Sequence, residues 1–120
     1  MSACLLVAGV AIALAEPRFT LEWTHSVERT AWRESWALAP GGLRLIEASV
    51  KGSGAGMEPG EGAVLRDGWW TWAPALPVQP AITLAASGAT GGGWRLCSGD
   101  DCRVLGLGAG EPAVLAPCPP

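Results

Sequence analysis

The chain has no tyrosine, one phenylalanine (Phe19), one lysine (Lys51) and one histidine (His25) among its 120 residues. With so few other large side chains, its seven tryptophans must fill much of any core it builds. Lysine and arginine together number 8 against 11 acidic residues, giving a formal charge of −3. No basic stripe or cluster stands ready to neutralise phosphates, which argues against nucleic acid as a partner. No stretch carries the 3.6-residue apolar period over three turns that an amphipathic helix needs. No segment is apolar for long enough to span a bilayer comfortably. The longest such run, Ala3 to Ala15, would reach roughly 20 Å as a helix, against a hydrocarbon core of about 30 Å.

That run has an address written in it. It is uncharged and built almost wholly of Ala, Leu, Val, Ile and Gly, and it ends in Ala13, Leu14, Ala15, the small-x-small pattern of a signal peptidase site. Residues 1–15 are therefore expected to be a cleavable signal peptide, with Glu16 as the mature N-terminus. Met1 and Ser2 supply no Lys or Arg, so the alternative is an uncleaved segment that keeps the domain tethered to the membrane. Cys4 lies at the start of the run and not at the cleavage point, which excludes a lipoprotein anchor there. For a bacterial chain the expected location is the periplasm.

The remaining residues alternate as strands do. Phe19, Leu21, Trp23 and His25 share one parity, and Trp32, Glu34, Trp36 and Leu38 share another, before the turn Pro40, Gly41, Gly42. From Leu43 to Lys51 strict alternation puts Arg44, Ile46, Ala48 and Val50 on one face. Asp67 and Gly68 between Ala63–Arg66 and Trp69–Trp72 are the signal of a tight hairpin. Pro74, Pro77 and Pro80 force an extended connector. Three further runs, 81–87, 94–97 and 102–107, complete about eight strands. The expected fold is all-β, a small antiparallel β-sandwich or partly open barrel. A single domain covers 16–108, and the Gly, Ala and Pro of 109–120 are expected to form a flexible tail.

Cys97 and Cys102 bracket Ser98, Gly99, Asp100 and Asp101, a stretch with strong turn chemistry between two apolar runs, so a hairpin disulfide is expected there. A zinc site is disfavoured, because no second Cys or His pair accompanies that spacing. With the leader removed, Cys118 is expected to be unpaired.

Several residues carry candidate chemistry. His25 ends the apolar face of the first strand beside Ser26 and Glu28, where a titratable ring can orient a ligand or cap the core edge by hydrogen bonds. A catalytic His25–Ser26 pair is disfavoured, since neighbours on a strand point to opposite faces. In the segment 52–62, Gly52, Gly54, Gly56 and Gly60 let the backbone turn sharply and present amides to an anion, and Met57 brings an apolar contact. The segment lacks the Gly-Lys-Ser ending of a phosphate loop, which excludes nucleotide binding of that type. Ser53 lacks the full Gly-x-Ser-x-Gly elbow of a hydrolase. Trp69 falls on the opposite face from Trp70 and Trp72, so one face presents at least one indole outward, as sugar-binding surfaces require, unless both sides are covered. With so few other large residues, most of these indoles are expected in the core. Glu34 and Glu47 are candidates for internal pairing with Arg44 or Arg95.

Four stretches together carry a family likeness: Trp23 to Glu28, Lys51 to Pro59, Asp67 to Trp70, and Thr90 to Cys97. In this order they resemble the bacterial domain-of-unknown-function family eighteen-fifty. The resemblance implies small exported proteins associated with TRAP transporters of the TAXI type, and it brings no activity with it. The expected function is that of a non-enzymatic periplasmic accessory of such a system, acting by protein contact or by holding a small anionic solute. No cofactor and no metal are expected. The surface singled out for that role is His25, Ser26, Glu28, Gly54, Gly56 and Met57. The alternatives are a stand-alone carbohydrate- or ligand-binding module and, third, a hydrolase built around His25.

Overall fold

In a computed structural model of the chain, residues 3–24, 31–51, 62–84, 93–105 and 112–119 are described. They form eleven strands and no helix: β1 (Ala3–Val7), β2 (Val10–Leu14), β3 (Arg18–Thr24), β4 (Ala31–Ala39), β5 (Gly42–Lys51), β6 (Val64–Arg66), β7 (Trp69–Trp72), β8 (Ile82–Leu84), β9 (Trp94–Ser98), β10 (Asp101–Leu105) and β11 (Ala113–Pro117). Every pairing is antiparallel, in a seven-stranded sheet ordered β10-β9-β3-β4-β5-β7-β6 and a four-stranded sheet ordered β2-β1-β11-β8. The two are not closed into a barrel, and the all-β sandwich expected from the alternation is what the residues build.

One apolar cluster joins the sheets. Phe19, Leu21, Trp36, Leu43, Leu45 and Leu96 come from the large sheet and Leu5, Leu14, Leu84 and Leu115 from the small one. Burial of a Leu or Phe side chain contributes roughly 1.5–3 kcal/mol, so this layer dominates the stability of the fold. Trp36 is fully within it, whereas Trp23 and Trp94 pack against its margin. Among the other indoles, Trp23 stacks parallel to Trp32 at 6.1 Å and lies 4.6 Å from Trp94, and Trp72 meets Trp32 edge-on at 6.2 Å.

The strict alternation expected along β5 does not hold. Trp36 pairs with Leu45 and Ser35 with Glu47, so Ile46 is an extra residue opposite that step. A bulge of this kind reverses the parity beyond it. Leu43 and Leu45 therefore share the inner face with Ala48 and Val50, all of them buried, and Ile46 is left exposed. The β6–β7 hairpin turns as its sequence requires, with Asp67 at φ 50° and Gly68 at φ 85°. In the proline-rich connector Gln79 bridges Leu43, with N···O distances of 2.7 and 2.8 Å.

Two cysteine pairs close the molecule. Cys97 and Cys102 lie opposite each other on β9 and β10 and are bonded, as the hairpin reading expects. Cys118, expected to be unpaired once residues 1–15 are removed, is bonded in the full chain to Cys4 across 114 residues. The reason is strand pairing: β11, within the segment expected to be a loose tail, lies beside β1 and brings Cys118 N within 3.3 Å of Cys4 O. The run expected as a leader thus forms the β1–β2 hairpin, with Leu5 wholly buried. Cleavage after Ala15 would remove both strands and the partner of Cys118. No helix among the described residues is long and apolar enough to cross a membrane.

Candidate functional site

The pleat divides the large sheet into two unlike faces. Phe19, Leu21 and Leu96 point inward, so Thr20, Glu22 and Thr24 of β3, Arg33 of β4, Lys51 of β5, Trp69 of β7 and Arg95 of β9 point out. Register sets two rows across this outer face. Arg95, Glu22, Arg33, Ser49 and Thr71 lie side by side in one, and Thr24, Ala31, Lys51 and Trp69 lie in the next. Thr24 and Ala31 are small, and the depression above them is a groove of ≈ 290 Å³ lined also by Glu22, Lys51, Trp69, Gly93 and Arg95.

Charge in the groove is unevenly matched. Arg33 Nε donates to Glu22 Oε1 at 2.6 Å, while Arg95 Nη1 stands 3.7 Å from Glu22 Oε2, too far for a hydrogen bond. The Arg33 guanidinium also lies over the Trp69 ring, 4.2 Å from its centroid, and Lys51 Nζ is 5.7 Å from the same centroid. One carboxylate thus faces two guanidinium groups, and among the described residues Lys51 has no carboxylate partner. With the Arg33 and Glu22 side chains 40% and 32% exposed, such a pair contributes only about 0–1 kcal/mol to stability. The fold does not depend on this cluster, and the net positive charge of its described residues is open to solvent.

A second groove on the same face is larger, ≈ 390 Å³, and is lined by Arg18, Thr20, Ser35, Glu16, Glu47 and Cys97 among others. It holds two carboxylates to one guanidinium, so it does not suit an anion. One wall is fixed by Ser98, buried, whose hydroxyl donates to Arg18 O at 2.8 Å and accepts from Glu16 N at 3.2 Å. On the inner face Glu34 accepts a hydrogen bond from Trp36 Nε1 at 3.1 Å. Burial pushes its carboxyl above the usual carboxylate range, and the indole bond only partly opposes this. The expected pairing of Glu34 or Glu47 with Arg44 or Arg95 is not what forms, since Arg95 turns to Glu22 and Glu34 to Trp36.

Residues 19–105 match the family described as Domain of unknown function (DUF1850). The chain belongs to this family. No curated protein and no solved structure matches it. Family membership spans β3 to β10, so the whole seven-stranded sheet and both grooves on it lie within the matched stretch apart from Glu16 and Arg18. β1, β2 and β11 lie outside it.

Six residues singled out from the family member's sequence, His25, Ser26, Glu28, Gly54, Gly56 and Met57, lie outside the described residues. Thr24 and Lys51, the described residues that precede those segments in sequence, themselves line the groove. Sequence reasoning missed Glu22, Arg33, Arg95 and Lys51 as a group. Their parity on each strand was visible, but which strand neighbours which was not. Trp69, expected on the face opposite Trp70 and Trp72, does stand on the outer face.

Proposed function

We propose that the protein is a non-enzymatic module that works outside the cytoplasm, in the service of a TRAP-type solute uptake system, and that it binds acidic groups on the outer face of its large sheet. The observation that carries the binding surface is the groove lined by Arg95, Lys51 and Trp69, in which Glu22, the one carboxylate among its described lining residues, is already bonded to Arg33. Two disulfides are compatible with an oxidising compartment. The leader-like run 3–15 supports export, its cleavage leaving only the Cys97–Cys102 bond, and the transporter link rests on the family resemblance.

A sugar platform on Trp69 is less well supported, because the Arg33 guanidinium already lies over the indole. Stacking a sugar there would first have to displace a contact of about 0.5–1 kcal/mol.

Affinity purification after cross-linking in the native host tests the transporter part. Co-isolation of the solute-binding and membrane components is expected, weakened by Arg95→Glu and Lys51→Glu. Reproducible absence of both components overturns it.

A further inference from the structure

We propose that the outer-face groove binds a small linear dicarboxylate, one carboxylate at Arg95 and the other at Lys51, lying across β3 and β4. The inference rests on the reading of this face as an anion-binding surface and names its ligand. Two observations carry it, the placement of the unsatisfied cations and the shape of the floor between them.

Of the three cations, Arg33 is committed. Its Nε holds Glu22 Oε1 at 2.6 Å and its guanidinium covers Trp69. Among the described residues Arg95 keeps only a 3.7 Å approach to the second oxygen of that carboxylate and a 3.6 Å contact from Nη2 to Cys102 Sγ, and its side chain is 58% exposed. Lys51 is exposed and touches only the Trp69 ring among the described residues. Arg95 and Lys51 are therefore the groups whose charge a ligand can still satisfy. Among the described residues the local excess is two positive charges, three cations less one carboxylate, which a dianion balances.

The sheet order β9-β3-β4-β5 separates the two cations by three strand spacings, or about 14 Å between backbones at ~4.8 Å each. A single-centre anion such as phosphate, or a short monocarboxylate, reaches one cation and leaves the other unpaired. A di-acid with methylenes between its ends reaches both, because the two long side chains each close part of the span. Its hydrocarbon middle then passes over Ala31, with Trp69 on the flank. Glu22 shares the row of Arg95, its Oε2 3.7 Å from Arg95 Nη1, so the ligand carboxylate at that end competes with it for the guanidinium, whereas the carboxylate at Lys51 lies one row away.

Isothermal titration of the full chain with the linear di-acids from malonate to suberate, the matching monocarboxylates, and inorganic phosphate tests this directly. Affinity is expected to rise with di-acid length to an optimum, and the best di-acid to bind at least about tenfold tighter than the monocarboxylate of the same length. Arg95→Met and Lys51→Met, both at exposed positions, are each expected to erase that advantage while leaving the far-ultraviolet circular dichroism unchanged. Equal binding of mono- and di-acids overturns the proposal, as does indifference to both substitutions or phosphate binding as tightly as the best di-acid. A poly-glutamate peptide that binds and is not displaced by saturating di-acid assigns the groove to an acidic protein segment. That result overturns the small-molecule ligand and leaves the transporter-accessory reading standing, whereas loss of the cross-linked components with di-acid binding intact does the reverse.

Discussion

At the scale of single residues, Glu34 and Gly42 show how far one group departs from what its surroundings favour. Glu34 sits on the inner face with its carboxyl raised by burial. A group whose folded-state pKa is raised is most favourable to folding when protonated. Its contribution is complete below the ordinary carboxylate range and is lost as pH climbs through the raised value. Glu34→Gln keeps the acceptor for Trp36 Nε1 and removes the titration. The variant is expected to melt above the wild type at pH ~7 and with it at pH ~4, a comparison that thermal denaturation at the two values makes. Gly42 is a different case, because a Cβ there would run into the backbone carbonyl of Gln79 and touch Val78. Gln79 is held by two hydrogen bonds to Leu43, so it cannot retreat without breaking them. Gly42→Ala is expected to cost about 1–3 kcal/mol, read from the denaturant midpoint. In the groove, Glu22→Gln removes the one carboxylate among the described lining residues that competes with an anionic ligand. Di-acid affinity is expected to increase a few-fold in the same titration, a gain of about 1 kcal/mol or less at this exposure.

At the scale of elements, the contrast between β3 and β1 explains what could be read in advance. β3 and β4 alternate apolar and polar residues, so their strand character and inner faces follow from composition alone, and the Asp67–Gly68 and Cys97–Cys102 hairpins follow from turn chemistry. β1 and β2 are uniformly apolar, a pattern equally suited to a leader, and only the Ala8–Gly9 pair at positive φ marks the turn between them. β11 is hidden in an Ala- and Pro-rich stretch whose strand propensity is low until β1 and β8 supply partners on both sides. The bulge at Ile46 is invisible in one sequence, because an extra residue is defined only against a partner strand. For the same reason the groove could be read as individual charged positions and not as a site. The pairing of β1 with β11 has a measurable consequence. In the chain-entropy view the Cys4–Cys118 bond, closing 114 residues, stabilises by about 5 kcal/mol, whereas the Cys97–Cys102 bond over 5 residues gives about 2. Cys118→Ser is therefore expected to lower the denaturant midpoint more than Cys102→Ser. A chain starting at Glu16 is expected to show one free thiol by titration and a larger loss, since it lacks Leu5 and Leu14 as well as the bond.

At the scale of the molecule, the distribution of charge is more informative than its sum. The chain carries a formal charge of −3, so its distant field repels anions. Against that background the Arg33, Arg95, Lys51 cluster gathers three of eight basic residues around one groove, beside a larger groove of the opposite balance. An acidic ligand or partner surface is thus repelled at long range and attracted only within a few ångströms of the first groove. The two effects respond oppositely to salt. Long-range repulsion is screened once the Debye length falls to about 8 Å at ~0.15 M, while a carboxylate in contact with Arg95 and Lys51 is screened less. Association rates for a dianion are therefore expected to change little, or to rise slightly, between ~0.01 and ~0.15 M salt, with dissociation quickening only above that range. Stopped-flow measurement of tryptophan fluorescence across a salt series checks this. A steep fall in association rate over the lower range would mean that the approaching anion feels the cluster from afar, and that the acidic remainder of the surface does not shape its path.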